Sequence, residues 1–71
     1  MLAKNEVIFD VETMKKLAET DMFLARAATD LIVRNPEMQI EHIYEVIFNS
    51  YIMEDSYMEE EYLNVQNEIY K

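Results

Sequence analysis

The 71-residue sequence contains no cysteine, no glycine and no tryptophan, and it has a single proline. Without cysteine the chain cannot form a disulfide or a thiolate metal site, which is usual for proteins of a reducing compartment. Two-residue hairpin turns depend on glycine for positive φ angles, so its absence disfavours a β-rich fold. We therefore expect an all-α fold of helices joined by short polar turns.

Long apolar segments are also missing. Acids appear in the amino-terminal segment before any apolar run long enough for a signal peptide, and no run approaches the length of a membrane span. The formal net charge of −9 opposes binding to anionic lipid. The apolar fraction of 51% is that of a folded chain, here one domain over residues 1–71. We expect a cytoplasmic protein, and its small core leaves room for stabilisation by self-association or by a partner.

The first predicted helix covers residues 11–33 and begins after Asp10, a suitable N-cap. It could divide in two near Thr20-Asp21, because aspartate prefers helix caps to helix interiors. Apolar side chains at helical spacing occupy a wide arc of this helix. One predicted row consists of Val11, Met14, Ala18, Met22, Ala25, Thr29 and Ile32. A neighbouring row on the same helix consists of Leu17, Leu24, Ala28 and Leu31.

Two further helices are predicted over residues 36–52 and 56–70, which completes a small three-helix domain. Asn35 and Pro36 are typical of an N-cap followed by the first helical position. Ser56 begins an S-x-x-E pattern, which is typical of a capping box. The apolar rows are Ile40, Ile43, Tyr44, Ile47, Phe48 and Tyr51 in the second helix, and Met58, Tyr62, Val65 and Ile69 in the third.

Charge is distributed unevenly along the chain. Residues 1–34 contain six acids and five bases, whereas residues 35–71 contain nine acids and one base, Lys71. Three short helices could suggest a helix-turn-helix DNA reader, but such proteins neutralise phosphates with lysine and arginine. No base lies between Arg34 and Lys71. The sequence therefore argues against direct binding to nucleic acid.

The acids of the second half could instead imitate nucleic acid. Glu37, Glu41 and Glu45 are four residues apart, so their carboxylates would be about 6 Å apart along one helix face. One DNA strand carries a phosphate about every 3.4 Å. Acids of the third helix would close this gap if the two helices lie side by side. The predicted partner-binding face consists of Glu37, Glu41, Glu45, Glu54, Asp55, Tyr57, Glu59, Glu60 and Glu61.

A merely solvated face is the alternative interpretation of these acids. The helix dipole stabilises an acid in the first turn by about 0.3–1 kcal/mol, and any surface needs some charge. However, like charges at i, i+4 destabilise a helix, and Glu37, Glu41 and Glu45 have this spacing without basic partners. A merely solvated face therefore leaves the missing basic partners unexplained, whereas a face that binds a basic partner explains them.

Five tyrosines lie in the acidic half of the chain. Tyrosine is enriched at protein interfaces, and Tyr57 and Tyr70 are the two best placed to contact a partner. We expect the other three, Tyr44, Tyr51 and Tyr62, to be half-buried with their hydroxyl groups in water.

Catalytic and metal-binding patterns are absent from the sequence. His42 is the only histidine, and Gln39 occupies the place of the glutamate that the Glu-x-x-His motif of di-iron bundles requires. The acidic run at residues 54–61 lacks the glycine and the alternation of a calcium loop. No nucleophile–base pair or phosphate-binding loop can be assembled. We expect a protein that is not an enzyme and that uses no cofactor or metal.

In charge, size and helix content, the chain resembles small phage-borne inhibitors of the anti-CRISPR and anti-restriction type, although no motif is shared. The resemblance implies an inhibitor or regulator whose acidic face docks into a basic cleft of a nucleic-acid-handling protein. The wide apolar arc of the first helix suggests instead a structural subunit or a homo-oligomeric assembly protein. A third alternative is an anti-activator that binds a transcription factor through an apolar groove near Met53 and Tyr57.

Overall fold

The computed structural model of the protein describes residues 7–71, and residues 1–6 of the predicted domain lie outside it. It has four α-helices and one π-helical turn, with no strand among the described residues, which confirms the all-α prediction. None of these helices is both long and apolar enough to cross a bilayer. The elements are α1 (Val11–Thr20), α2 (Met22–Arg34), α3 (Ile40–Ile47), the π turn (Phe48–Ile52) and α4 (Ser56–Ile69).

The first predicted helix divides at Asp21, as the sequence had suggested it could. Asp21 has an extended backbone (φ −121°, ψ 108°) that ends α1, and its carboxylate accepts the Leu24 backbone N–H at 3.1 Å, which caps α2. This extended residue changes the helical phase between α1 and α2. As a result Leu24 and Ala28 are buried, whereas Met22 and Ile32, which were predicted to share one row with Met14, are exposed.

The second predicted helix begins at Ile40 rather than at Pro36, so the prediction that Asn35 caps it is wrong. Asn35 instead ends α2, since both its backbone N–H (2.9 Å) and its side-chain amide (3.0 Å) donate to the Leu31 carbonyl oxygen. The Asn35 carbonyl accepts the Met38 N–H at 2.9 Å, which closes a turn. Pro36 therefore lies in the connection between α2 and α3.

The N-cap of α4 is Asp55, so the prediction that Ser56 caps this helix is also wrong. The Asp55 carboxylate accepts the backbone N–H groups of Tyr57 at 3.0 Å and Met58 at 3.3 Å. Ser56 is the first helical residue. By contrast, Asp10 is the N-cap of α1, as predicted, and accepts the Thr13 N–H at 3.0 Å.

The π turn decides which side chains at the end of α3 are buried. Its Met53 N–H donates to the Phe48 carbonyl at 3.1 Å, five residues back, which is the hydrogen-bond pattern of a π-helix. The wider turn places Ile52 on the same side as Ile47, and both are fully buried. Tyr51, which was predicted to belong to the apolar row, is exposed instead.

One core cluster joins all of these elements. α1 packs against α2, α3 and α4, while α2 also packs on α3 and α4 on the π turn. No extensive contact joins α3 to α4 within the described residues. The buried apolar residues are Val7, Met14, Leu17, Ala18, Leu24, Ala28, Ile43, Ile47, Phe48, Ile52 and Tyr62.

Candidate partner-binding surfaces

The first group of predicted acids lies on α3. Glu41 and Glu45 are exposed and one helical turn apart, on the side opposite the buried Ile43. His42 lies on the same exposed side, with its Nδ1 atom 3.4 Å from Glu45 Oε1. Glu37 is exposed as well, but it belongs to the turn before α3 rather than to the helix. The predicted stripe of three carboxylates is thus reduced to two.

The second group lies at the start of α4. Tyr57 and Glu60 are exposed and Glu61 is half-buried, and their spacing of three and four residues places them on one face of the helix. Glu59 is half-buried on another side. The Asp55 carboxylate caps the helix, and Glu54 is exposed in the preceding turn.

The two groups do not form the single continuous face that the sequence suggested. That face required α3 and α4 to lie side by side, and α4 packs against α1 and the π turn instead. We use the term acidic surface for the exposed or half-exposed residues that remain on the two helices. They are Glu41 and Glu45 of α3 with Tyr57, Glu60 and Glu61 of α4.

The acidic surface has no internal counter-charge in the part of the chain that the structure describes. Within residues 7–71 the only ion pair that involves arginine or lysine joins Arg34 Nε to Asp30 Oδ1 at 3.2 Å, on α2. Glu45 has only the contact with His42, an imidazole that carries charge only when protonated. Within residues 7–71, the carboxylates of α3 and α4 therefore form no ion pair with lysine or arginine.

The structure also shows an apolar surface that the sequence analysis missed. Met22, Phe23 and Val33 of α2 have 73%, 62% and 72% of their surface exposed. The ring of Phe23 packs edge-on against that of Tyr51, with 5.1 Å between centroids. We call Met22, Phe23 and Val33 the α2 stripe; together with Tyr51 they line a shallow open groove of about 950 Å³. Phe23 and Val33 fall outside both predicted apolar rows, and this is the signal that could have revealed the surface.

A third polar cluster joins the start of the described chain to α4. Asp10 Oδ2 accepts hydrogen bonds from Thr13 Oγ1 at 2.7 Å and from the Tyr70 hydroxyl at 2.8 Å. Partial burial raises the pKa of the Asp10 carboxyl, but the hydrogen bonds from Thr13 and Tyr70 outweigh it, and the net pKa is lowered. The bond to Asp10 raises the pKa of the Tyr70 phenol. The cluster is accounted for by helix capping and by the attachment of α4. Tyr70, predicted to contact a partner, thus has its hydroxyl engaged within the protein.

Neither acidic group has the arrangement of a metal site. Among the described residues, no three histidine, aspartate or glutamate side chains converge to hold a metal ion. No protein-family model, curated protein or solved structure matched this chain. The surfaces described above are therefore interpreted from their own geometry and charge.

Proposed function

We propose that the protein is a non-catalytic inhibitor or regulator that binds a basic, nucleic-acid-handling protein through its acidic surface. The observation that carries this proposal is the lack of basic partners for the carboxylates of α3 and α4 within residues 7–71. A basic cleft would supply the missing counter-charge. It would also be attracted over a distance, since complementary potentials steer encounter between proteins.

Tyr57 supports the proposal as a contact residue within this charged surface. It lies on the same face of α4 as Glu60 and Glu61, and 66% of its surface is exposed. Tyrosine offers a large, stiff contact area and can anchor an interface in which charge provides orientation. The separation of α3 from α4 implies two points of contact rather than one continuous rod of carboxylates.

The proposal is tested by reversing charge at one place and, as a control, by the same amount at another. In Glu41→Lys/Glu45→Lys the net charge rises by four units on α3. The matched control, Glu12→Lys/Glu19→Lys, gives the same net charge with both changes at exposed positions of α1. Each protein is immobilised on a resin and incubated with nuclease-treated extract of the source cells. The proteins that the resin retains are then quantified.

We expect wild type and the α1 control to retain a basic nucleic-acid-binding protein that added duplex DNA or RNA displaces. The α3 variant should bind it at least about tenfold more weakly, because two attractive contacts become repulsive. Circular dichroism establishes that all three proteins remain helical. If the wild type and both variants retained the same proteins, and added nucleic acid displaced none of them, the proposal would be contradicted.

A further inference from the structure

The solvent-facing side of α2 has the residue spacing of a helix-pairing seam. Met22, Arg26, Thr29 and Val33 follow one another at intervals of four, three and four residues, and all four are exposed. This is the spacing at which one side of a helix meets another helix in a coiled coil. Leu24, on the opposite side of α2, is fully buried in the core. α2 therefore has one face in the core and a second face that no part of residues 7–71 covers.

Charge identifies the partner that suits this face. α2 contains two arginines and one aspartate, and is the one helix of the described chain in which bases outnumber acids. Acids and bases balance in α1, whereas α3 and α4 carry two and four acids with no base. Two copies of a chain with net charge −9 repel each other least where they approach through α2.

The order of side chains along α2 is complementary to itself. We propose that α2 pairs with the α2 of a second copy, antiparallel about a two-fold axis that crosses the exposed face of α2 midway between Arg26 and Thr29. In this arrangement Met22 lies opposite Val33 of the second copy. Arg26 lies opposite Thr29 and within reach of Asp30 of the second copy. A two-fold axis makes each of these contacts twice, as in other isologous dimers.

The single-chain structure leaves the central charges available for this contact. Arg26 is exposed and forms no ion pair with any residue in 7–71. Asp30 binds Arg34 through Oδ1 at 3.2 Å, and its carboxylate has a second oxygen. In the dimer Asp30 would lie between Arg34 of its own chain and Arg26 of the second copy. Ala25 and Thr29 are small enough to let the two helices approach closely.

The size of the face sets the strength of the dimer. A helix of 13 residues is about 20 Å long, so one such pair with the nearby Phe23–Tyr51 rings makes a small interface. Interfaces that bury less than about 1,200 Å² in total belong to weak or transient complexes. We therefore expect a reversible dimer with a dissociation constant in the micromolar range or weaker. This contact is independent of the acidic surface, whose residues lie on α3 and α4.

Two single charge reversals test the proposed pairing. Arg26→Glu brings the new carboxylate close to Asp30 of the second copy, and Asp30→Arg brings the new guanidinium close to Arg26 of the second copy. In each case like charges face each other twice, so each variant should dimerise at least about tenfold more weakly than wild type. Sedimentation equilibrium over a wide range of protein concentration measures the dissociation constants, and circular dichroism checks the fold.

A mixture of the two variants provides the decisive result. When one copy is Arg26→Glu and the other is Asp30→Arg, every central contact joins opposite charges again. The mixture should form a heterodimer at least as strong as the wild-type dimer, although each variant alone dimerises more weakly. A misfolded variant, or a face meant for an unrelated protein, could not produce this recovery. Wild type that stays monomeric, or a mixture that stays monomeric, would overturn the proposal.

The apolar ends of the seam are tested separately. Met22→Gln/Val33→Gln should weaken the dimer at least about tenfold, since these side chains are buried only when α2 pairs. The control is Ile40→Gln, which removes one exposed apolar side chain at the start of α3. If both variants weakened the dimer equally, or if neither weakened it, the assignment of α2 as the interface would be overturned.

Discussion

Tyr62 shows how one buried side chain connects distant parts of the chain. Its ring is fully buried and lies 5.1 Å from that of Phe48, which in turn contacts Phe9 at 5.5 Å. Its hydroxyl donates a hydrogen bond of 2.7 Å to the Ile8 carbonyl, 54 residues earlier. Burial raises the pKa of the Tyr62 phenol to about 12, and the negative charge of Asp10 adds to the rise.

The raised pKa predicts alkaline destabilisation with a definite sign. The folded-state pKa of Tyr62 lies above the ordinary value of 10, so the contribution of the neutral phenol to stability is complete below about pH 10. It is lost as pH rises from about 10 through 12. Tyr62→Phe should lower the free energy of unfolding by about 1 kcal/mol at neutral pH, because it removes the bond to Ile8. The same substitution should also make the free energy of unfolding fall less steeply between about pH 10 and 12.

Urea denaturation at a series of pH values measures both effects. Tyr57→Phe, which changes an exposed side chain of the same helix, is the control. It should leave the dependence of the free energy of unfolding on pH unchanged. The interpretation of Tyr62 would be wrong if both variants kept the alkaline slope of wild type.

The sequence predicts a half-buried Tyr62 with its hydroxyl in water, and this prediction is wrong. Spacing along α4 correctly placed Tyr62 on the apolar side. Its acceptor, the Ile8 carbonyl, lies before α1 and comes close only once residues 7–10 pack across the π turn and α4. No pattern within α4 contains this information, because the contact depends on the tertiary fold.

Aspartates mark the starts of three of the four helices. Asp10, Asp21 and Asp55 each accept a backbone N–H in the first turn of α1, α2 and α4. Such a side chain satisfies one of the donors that a helix start leaves without a partner. α3 differs, since its cap residue, Gln39, makes no side-chain cap bond.

The corrected cap of α4 predicts different effects for two neighbouring residues. Asp55→Ala should lower the free energy of unfolding by about 1 kcal/mol, because the N–H groups of Tyr57 and Met58 lose their acceptor. Ser56→Ala should change it by less than about 0.5 kcal/mol, since this exposed residue is already helical. Chemical denaturation of the two variants measures both values. A larger loss of stability for Ser56→Ala than for Asp55→Ala would contradict the Asp55 cap and support the capping box predicted from the sequence.

The helix boundaries show which local signals the sequence could resolve. The sequence correctly marked Asp21 as a possible break, because its side chain favours a cap over a helix interior. It could not resolve Asn35, which fits both the end of one helix and the start of the next. In the structure Asn35 ends α2, where it donates two hydrogen bonds to the Leu31 carbonyl. A turn that contains Pro36 follows, and α3 begins at Ile40.

Across the molecule, the acidic surface lies on α3 and α4, whereas the α2 stripe lies on α2. The acids of α3 and α4 were visible in the sequence, and the exposure of Glu41, Glu45 and Glu60 agrees with their helical spacing. Two features of the surface depend on tertiary packing and were not predicted. These are the separation of α4 from α3 and the exposure of Met22, which follows from the change of phase at Asp21.

If charge on α3 and α4 drives binding to a basic partner, the affinity must depend strongly on salt. The measurement is the affinity of the wild-type protein for its captured partner between about 0.05 M and 1 M salt, where the screening length falls from above 10 Å to about 3 Å. We expect a steep loss of affinity with salt and competition by duplex DNA or RNA. Binding that persists at about 1 M salt and ignores nucleic acid would contradict it, and would assign recognition to apolar contacts.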